Sequence, residues 1–254
     1  MKMERSKMKN IGNKAVCLLL CFCLMACFVP GAFAMQTQPS ITYQTLGDTL
    51  YTTSTSYSPN GDKTVVVTTE DRIATSVFYA ENDTLYVTEE NLVTGEIKSI
   101  SINLSDIKKS VDTLGFSDSI QLTSSDTVSA STFFFGLSYT SHPAGVWTIG
   151  KDYYTFKNAI ESGNNGLNAN NLNGFRSCVD QCISSEATLL GAITVDVAAL
   201  LAASLIAAFT AGLGTPAAIS IAAGIIGGTG GAFLSFNNAI ASRDNAIIYF
   251  DRIV

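Results

Sequence analysis

The chain has 254 residues, 47% of them hydrophobic and only 14% charged, and its formal net charge is −6. This length is enough for one large domain or two small ones. An acidic chain is a poor nucleic-acid binder, and it lacks the polybasic patch that attracts proteins to anionic lipid. Any affinity for a membrane therefore has to come from apolar surface rather than from charge.

The N-terminal segment has the parts of a secretory signal. An apolar stretch from Ala15 to Val29 is ended by Pro30, and Ala32 and Ala34 are the small residues that a signal peptidase reads. The stretch is preceded by five basic residues, Lys2, Arg5, Lys7, Lys9 and Lys14. We expect cleavage after Ala34 and secretion of residues 35–254, whose net charge is −10 once five basic residues and one acidic residue are removed.

The cysteines bear on both export and cross-linking. The segment Leu24 to Cys27 resembles a lipobox, so a lipoprotein with lipid on Cys27 is the alternative to soluble export. Only Cys178 and Cys182 lie outside the signal. Exported thiols tend to oxidise, but in a regular helix this four-residue spacing holds the Cβ atoms too far apart for a good disulfide. The sequence leaves a small disulfide ring and a free pair both open.

From Ile41 to Leu104 the chain alternates polar and apolar residues and is rich in Thr, Ser, Tyr and Val, which is typical of strands. Turn residues at Ser58–Asp62 and Glu81–Asp83 separate the alternating runs. The predicted strands are Leu50–Tyr57, Lys63–Thr69, Asp71–Ala80, Thr84–Thr88 and Glu96–Ile102. We expect an antiparallel meander with one packed and one solvated face.

The middle of the chain, residues 105–158, has a less regular pattern. We interpret its aromatic residues as sheet core, and the alternative is an aromatic belt beside lipid. The predicted elements are a short helix over Asp106–Leu114, a polar loop over Thr123–Ser131, and strands over Thr132–Tyr139 and Val146–Ile149 joined by a turn at His142–Gly145.

An Asn- and Gly-rich stretch, Ser162–Asn173, holds six asparagines and predicts an exposed linker that is a natural site of cleavage. We therefore divide the chain into a signal over 1–34, a β-rich domain over 35–158, a linker over 159–176 and a helical region over 177–254. The expected fold class is α+β, with an antiparallel meander or sandwich first and a hydrophobic helical hairpin last.

The segment from Val197 to Ser242 contains no Asp, Glu, Lys or Arg. Glycines and Pro216 interrupt it, which predicts two apolar helices over about 187–213 and 216–236, with Pro216 at the start of the second. At ~1.5 Å per residue, each helix would be long enough to cross a hydrocarbon layer of ~30 Å.

Small residues recur along both predicted helices. Gly224 with Gly228 and Gly227 with Gly231 form GxxxG pairs. The first helix has matching alanines at Ala199, Ala203, Ala207 and Ala211. Such faces favour tight helix packing in lipid, whereas in water each glycine weakens a helix by ~1 kcal/mol. We expect packing or self-association through the GxxxG face in a membrane, and the alternative is that both helices form the core of a soluble protein.

Asp196 lies next to the uncharged run. We interpret it as the water boundary of the apolar span, because a charge at the centre of a bilayer is costly. The alternative is a titratable switch or a pore-lining group, whose protonation would ease insertion. Beyond the run, residues 243–252 predict a strand or short helix packed on the rest of the protein.

Common catalytic motifs are absent from the sequence. The single His142 precedes a proline in a predicted turn, and there is no GxSxG, HExxH, P-loop or dinucleotide motif. We expect no enzymatic activity, no cofactor and no metal site.

The composition of Leu189–Phe236 is similar to that of the membrane-active helices of class II and circular bacteriocins. The order of signal, β-rich part and glycine-rich C-terminal region resembles the large secreted bacteriocins of the geobacillin type. This resemblance implies a secreted antibacterial toxin whose partners are the lipid bilayer of target cells and an immunity protein. The acidic charge departs from small cationic bacteriocins, so attraction by charge is not expected. The alternative is a binding or adhesion module held in the cell envelope by the hairpin.

Overall fold

The computed structural model describes residues 39–106 and 127–254. Its first part is a six-stranded antiparallel sheet, sheet A, in which the strands lie side by side in chain order. The strands are β1 Ser40–Leu46, β2 Thr49–Tyr57, β3 Lys63–Thr68, β4 Arg72–Tyr79, β5 Thr84–Asn91 and β6 Ile97–Asn103. The predicted meander is therefore confirmed. The signal with Ala34, and all but the first residue of the helix predicted over Asp106–Leu114, lie outside the described residues.

One face of sheet A belongs to the protein core, as the period-two pattern predicts. Val65 of β3 lies opposite Ser76 of β4, which lies opposite Val87 of β5, and all three side chains are fully buried. The next inward row contains Val67, Ala74 and Glu89. The opposite face of the sheet carries mostly Thr, Ser and Tyr.

A second antiparallel sheet, sheet B, follows in the chain with the strand order β10-β9-β8-β7. Its strands are β7 Val128–Ser131, β8 Ser138–His142, β9 Val146–Lys151 and β10 Thr155–Ile160. The loop predicted over Thr123–Ser131 thus ends in a strand, and the strand predicted over Thr132–Tyr139 begins only at Ser138. The reason is that Phe134 and Phe135 bend into the core, where they are buried. The turn at His142–Gly145 and the strand after it are confirmed.

Four helices complete the fold. They are α1 Leu167–Leu190, α2 Val195–Thr210, α3 Thr215–Ile225 and α4 Gly231–Arg252. The linker predicted over 159–176 is wrong, because α1 begins inside it. The buried Asn168 explains this difference: its side chain donates to the carbonyl groups of Ile160 and Val254 and accepts from the N–H of Val254. Sheets and helices belong to one compact unit, Gln38–Val254, rather than to separate domains.

Helices α1 and α4 pack along each other. The rings of Phe175 and Phe250 lie 5.9 Å apart between them. The thiol of Cys182 donates to the carbonyl oxygen of Ala239 at 3.3 Å. The C-terminal piece, expected to be a strand or short helix, forms the last turns of α4 and ends at Arg252.

Glu186 ties α1 to the bend before β8. Its carboxylate is only 2% exposed and accepts the backbone N–H groups of Phe133 at 2.6 Å and Phe134 at 2.8 Å. Burial raises the pKa of Glu186 from its ordinary 4.5 to about 7, although the two N–H groups act in the opposite direction. The folded protein therefore binds a proton at Glu186 more readily than the unfolded chain does.

We predict that this carboxylate makes stability depend on pH. A raised folded-state pKa contributes stability that is complete below 4.5 and is lost as the pH rises through 7, so the free energy of unfolding falls in this window by at most about 3 kcal/mol. In Glu186→Gln this slope is expected to become shallower, and Glu90→Gln, which changes an exposed carboxylate of β5, keeps it. Urea denaturation between pH 4.5 and 8 measures the three slopes. Equal slopes for wild type and Glu186→Gln would contradict the prediction.

Candidate functional site

Helix α3 lies at the centre of the molecule. It packs on β3, β4 and β5 of sheet A and against α2 and α4. All eight residues from Pro216 to Ala223 are buried. A helix that is apolar on every side requires such complete cover, and Pro216 lies in the first turn of α3, as predicted. The inward face of sheet A that receives α3 is called the cradle below.

A salt bridge of the cradle meets the N-terminal end of α3. The Arg72 guanidinium contacts Glu89 at 2.5 Å, and the other carboxylate oxygen of Glu89 accepts the N–H of Gly214 at 2.9 Å. Glu89 is only 4% exposed. A carboxylate at this position satisfies an unpaired helix N–H group and faces the positive end of the helix dipole.

Another carboxylate reaches the same end from α4. The hydroxyl of Thr215 donates to Asp244 at 2.7 Å, and Arg243 donates to Asp244 at 2.9 Å and to Asp152 at 3.3 Å. Partial burial raises the pKa of Asp244, and the contacts with Arg243 and Thr215 act against this rise. The first residues of α3 are thus held by two carboxylates, each of which is paired with an arginine.

A cation of the cradle holds the C-terminal end of α3. The ammonium of Lys63 donates to the carbonyl oxygens of Ala223 at 2.8 Å and Gly224 at 2.7 Å. Burial lowers the pKa of Lys63. A cation next to the last carbonyl groups complements the negative end of the helix dipole. The charges of the cradle therefore match the two ends of α3.

The middle of α3 has one polar contact with the cradle. The hydroxyl groups of Ser76 and Ser220 lie 2.6 Å apart, and both side chains are fully buried. Near the end of the helix, Gly224 lies directly against the ring of Phe78, where an added Cβ atom would collide with the ring. Glycine is needed here because helix and sheet approach each other closely.

The predicted GxxxG face does not exist as a helix face. Gly224 belongs to α3, Gly227 and Gly228 lie in the connection between α3 and α4, and Gly231 is the first residue of α4. Gly227 and Gly230 adopt φ angles of 90° and 92°, which end the helical path. The glycines that resemble a membrane packing motif therefore form a break and a close helix–sheet contact.

The predicted helix bounds of 187–213 and 216–236 are also wrong. The first is divided by residues 191–194, and the second by residues 226–230. Helices α2 and α3, packed on each other and joined by residues 211–214, form the hairpin in a shorter version. Across residues 39–106 and 127–254, no helix combines the length and the apolar character needed to cross a membrane.

Asp196 lies in the first turn of α2 and is exposed. Its role as the water boundary of a membrane span stays a prediction. The predicted alanine face of the hairpin is buried unevenly. Ala199 is buried, whereas Ala203 and Ala207 are half-buried. Ala211 follows the end of α2 and is exposed.

Cys178 and Cys182 are free and buried on α1. Of the two arrangements left open by the sequence, the structure has the free pair. Burial raises the pKa of both thiols. Within the described parts of the chain, no three His, Cys, Asp or Glu side chains are grouped so that they could hold a metal ion.

The sequence analysis did not identify Lys63, Arg72 and Glu89 as site residues. The available signal was the position of two of them in the alternating pattern. In β3 and β5, Lys63 and Glu89 occupy inward-facing positions, where the other residues are valine and leucine. An inward charge on a strand requires a partner across the core, and the uncharged helix supplies that partner through its backbone.

Comparisons of the chain with protein-family models, with curated proteins and with solved structures found no match.

We predict that Gly224 and Gly228 respond differently to alanine, although the GxxxG pattern treats them alike. Gly224→Ala forces the Phe78 ring to move and is expected to lower the free energy of unfolding by about 1–3 kcal/mol. At Gly228 a Cβ atom meets only ordinary contacts, so Gly228→Ala is expected to change it by less than about 0.5 kcal/mol. Urea denaturation measures both effects. Equal costs would show that the contact with Phe78 does not matter.

We also predict that the cation at the end of α3 stabilises the fold. Lys63→Met leaves two carbonyl oxygens without their charged donor and is expected to cost about 2 kcal/mol. Lys98→Met is the matched control, because Lys98 is exposed, donates to the carbonyl of Gly212 and pairs with the exposed Glu96 at 3.7 Å, so its loss should cost less than about 0.5 kcal/mol. Denaturation of residues 35–254 tests the pair, and a cost at Lys63 no larger than that at Lys98 would refute the role of the cradle cation.

Proposed function

We propose that the protein is a secreted antibacterial protein that permeabilises the membranes of target cells through the α2–α3 hairpin. The observation that carries this proposal is the combination of an uncharged segment, Val197–Ser242, with the burial of its central helix α3 in the core. Because the side chains of α3 are already surrounded by apolar groups, lipid is an environment of similar polarity for them. The resemblance in composition to membrane-active bacteriocin helices supports the same function.

The polar groups of the hairpin are compatible with this role. In α2 and α3, Asp196 is the one charged side chain, and it lies in the first turn of α2, facing solvent. Between Val197 and Ile225, the side-chain polarity is limited to hydroxyl groups. A charged side chain at the bilayer centre costs ~2.5–3.5 kcal/mol, which this segment avoids. The proposed partners are a target-cell bilayer and an immunity protein of the producer.

A binding module held in the cell envelope is the second candidate, and the outward face of sheet A favours it. That face exposes Ile41, Tyr43 and Tyr86 among threonines and serines. Among the strand positions of this face only Glu90 is charged. Exposed tyrosines on a hydroxyl-rich face are suited to ligand contact. Fractionation separates the candidates, since a toxin is found in the medium and an envelope module with the producer's membrane.

We predict that residues 35–254 release dye from lipid vesicles and that a charge within the hairpin abolishes the release. Ala203→Asp places a carboxylate in the middle of α2 and is expected to reduce release at least tenfold, since burying it in lipid costs about 2.5–3.5 kcal/mol. Ala192→Asp is the control, because it adds the same charge just before α2. Circular dichroism of both variants is the control for correct folding. No release by the wild-type protein from neutral or anionic vesicles would exclude permeabilisation.

A further inference from the structure

Helices α2 and α3 are connected to the rest of the protein by two short segments, each of which packs one isoleucine, Ile193 or Ile226, against the core and leaves its other residues exposed or half-buried. Residues 191–194 precede α2, and Gly191, Ala192 and Thr194 are exposed. Residues 226–230 follow α3, and a Cβ atom added at Gly227 or Gly230 would meet nothing within 4 Å. Positive φ angles at both glycines allow this segment to change direction with little steric resistance. Exposed backbone thus lies at both ends of the hairpin.

Helices α1 and α4 share an interface of their own. Between α1 and α4, the Phe175 and Phe250 rings are in contact, the Cys182 thiol donates to Ala239, and Gly174 lies beneath the ring of Tyr249. Helix α1 also contacts β7, β8 and β10 of sheet B. The α1–α4 pair therefore has a core and a sheet of its own, to which α2 adds the ring of Phe209, 4.0 Å from the guanidinium of Arg243.

Few polar contacts hold α3 in the cradle, and they lie at defined points. Glu89 binds the first turn, Ser76 faces Ser220 in the middle, and Lys63 binds the last carbonyl groups. On the other side, Asp244 binds Thr215. In each of these contacts the hairpin contributes a backbone group or a hydroxyl group. The charged partners all belong to the rest of the protein, so a hairpin that leaves the cradle takes none of these charges with it.

Given the proposed function, on which this inference rests, we propose that the cradle is an autoinhibitory surface from which α2 and α3 swing out as one unit about residues 191–194 and 226–230. The cradle covers the apolar surface of α3 in water. Membrane action requires that this contact opens, while the α1–α4 pair and sheet B stay folded. The occupant of the cradle is the chain's own α3, and its release is the step that separates the stored form from the active form.

A disulfide across the cradle tests this directly. The hydroxyl oxygens of Ser76 and Ser220 are 2.6 Å apart, so the pair Ser76→Cys and Ser220→Cys lies at a distance suited to a disulfide. The matched control is the pair Ser129→Cys and Thr140→Cys in sheet B, whose hydroxyl oxygens are 3.0 Å apart and which leaves α3 free. Mass spectrometry verifies both bonds.

The oxidised cradle pair is expected to release vesicle dye at least tenfold more slowly than the same protein after reduction. The oxidised control pair should release dye like the wild type. Equal release by the oxidised and reduced cradle pair would overturn the autoinhibitory role, because α3 would then act without leaving sheet A. If neither the wild type nor any reduced variant releases dye, the proposed function itself fails.

A measurement without lipid tests the movement independently of the function. In the single variant Ser76→Cys, position 76 lies under α3, and the natural Cys182 lies in the α1–α4 pair; both positions are fully buried. If α2 and α3 open as a unit, a thiol reagent labels Cys182 at least tenfold more slowly than the new thiol at position 76. Equal labelling rates would show that α3 leaves only when the whole protein unfolds, and would refute the hinged opening.

Discussion

The rest of the structure depends on the way in which sheet A satisfies the ends of α3. A helix without a single charged side chain cannot be buried cheaply unless its free N–H and carbonyl groups find partners. Glu89 provides an acceptor at one end and Lys63 provides a donor at the other. Each interaction of a charge with a helix end contributes ~0.3–2 kcal/mol, and the larger contribution of apolar burial becomes available only because these groups are paired.

This arrangement explains why the helix lies where it does. Apolar contacts alone would allow α3 to slide or rotate on the rows of valine and alanine beneath it, since such contacts are not directional. The charged contacts at the two ends and the Ser76–Ser220 pair fix its position along the sheet. The close approach of Gly224 to Phe78 then determines how deep the C-terminal end lies. The polar groups therefore determine the position of α3 on the sheet, and the burial of apolar groups contributes most of the favourable free energy.

The same arrangement is compatible with the proposed release of α2 and α3 from the cradle. The contacts that orient α3 belong largely to sheet A, whereas α1 and α4 have their own interface. A part of a protein can open separately when its contacts form a distinct set. Here the distinct set is the cradle, and the connections on either side of the hairpin border the part that we propose to move.

The sequence was sufficient where the signal is local. Alternation and turn residues predicted the strands of sheet A, and Pro216 predicted the start of α3. The Asn-rich stretch misled because its composition is that of a linker, whereas the C-terminal Val254, 86 residues away from Asn168, supplies the partners that make a helix of it. The glycines of residues 224–231 led to the incorrect prediction of a GxxxG helix face. The same spacing of glycines occurs in membrane packing motifs, at helix breaks and at close helix–sheet contacts.

The sequence by itself determined the fold class, the meander and the presence of an uncharged segment that must be covered, because alternation, turns and charge are properties of neighbouring residues. Only the tertiary structure decided what covers that segment and where its helices end. Lys63 and Glu89 meet residues 214–224 across more than a hundred positions of the chain, and no local pattern carries that pairing. The physical reason is that the partners of an uncharged helix are its own backbone groups, which every sequence has and which only a fold can place opposite a charge.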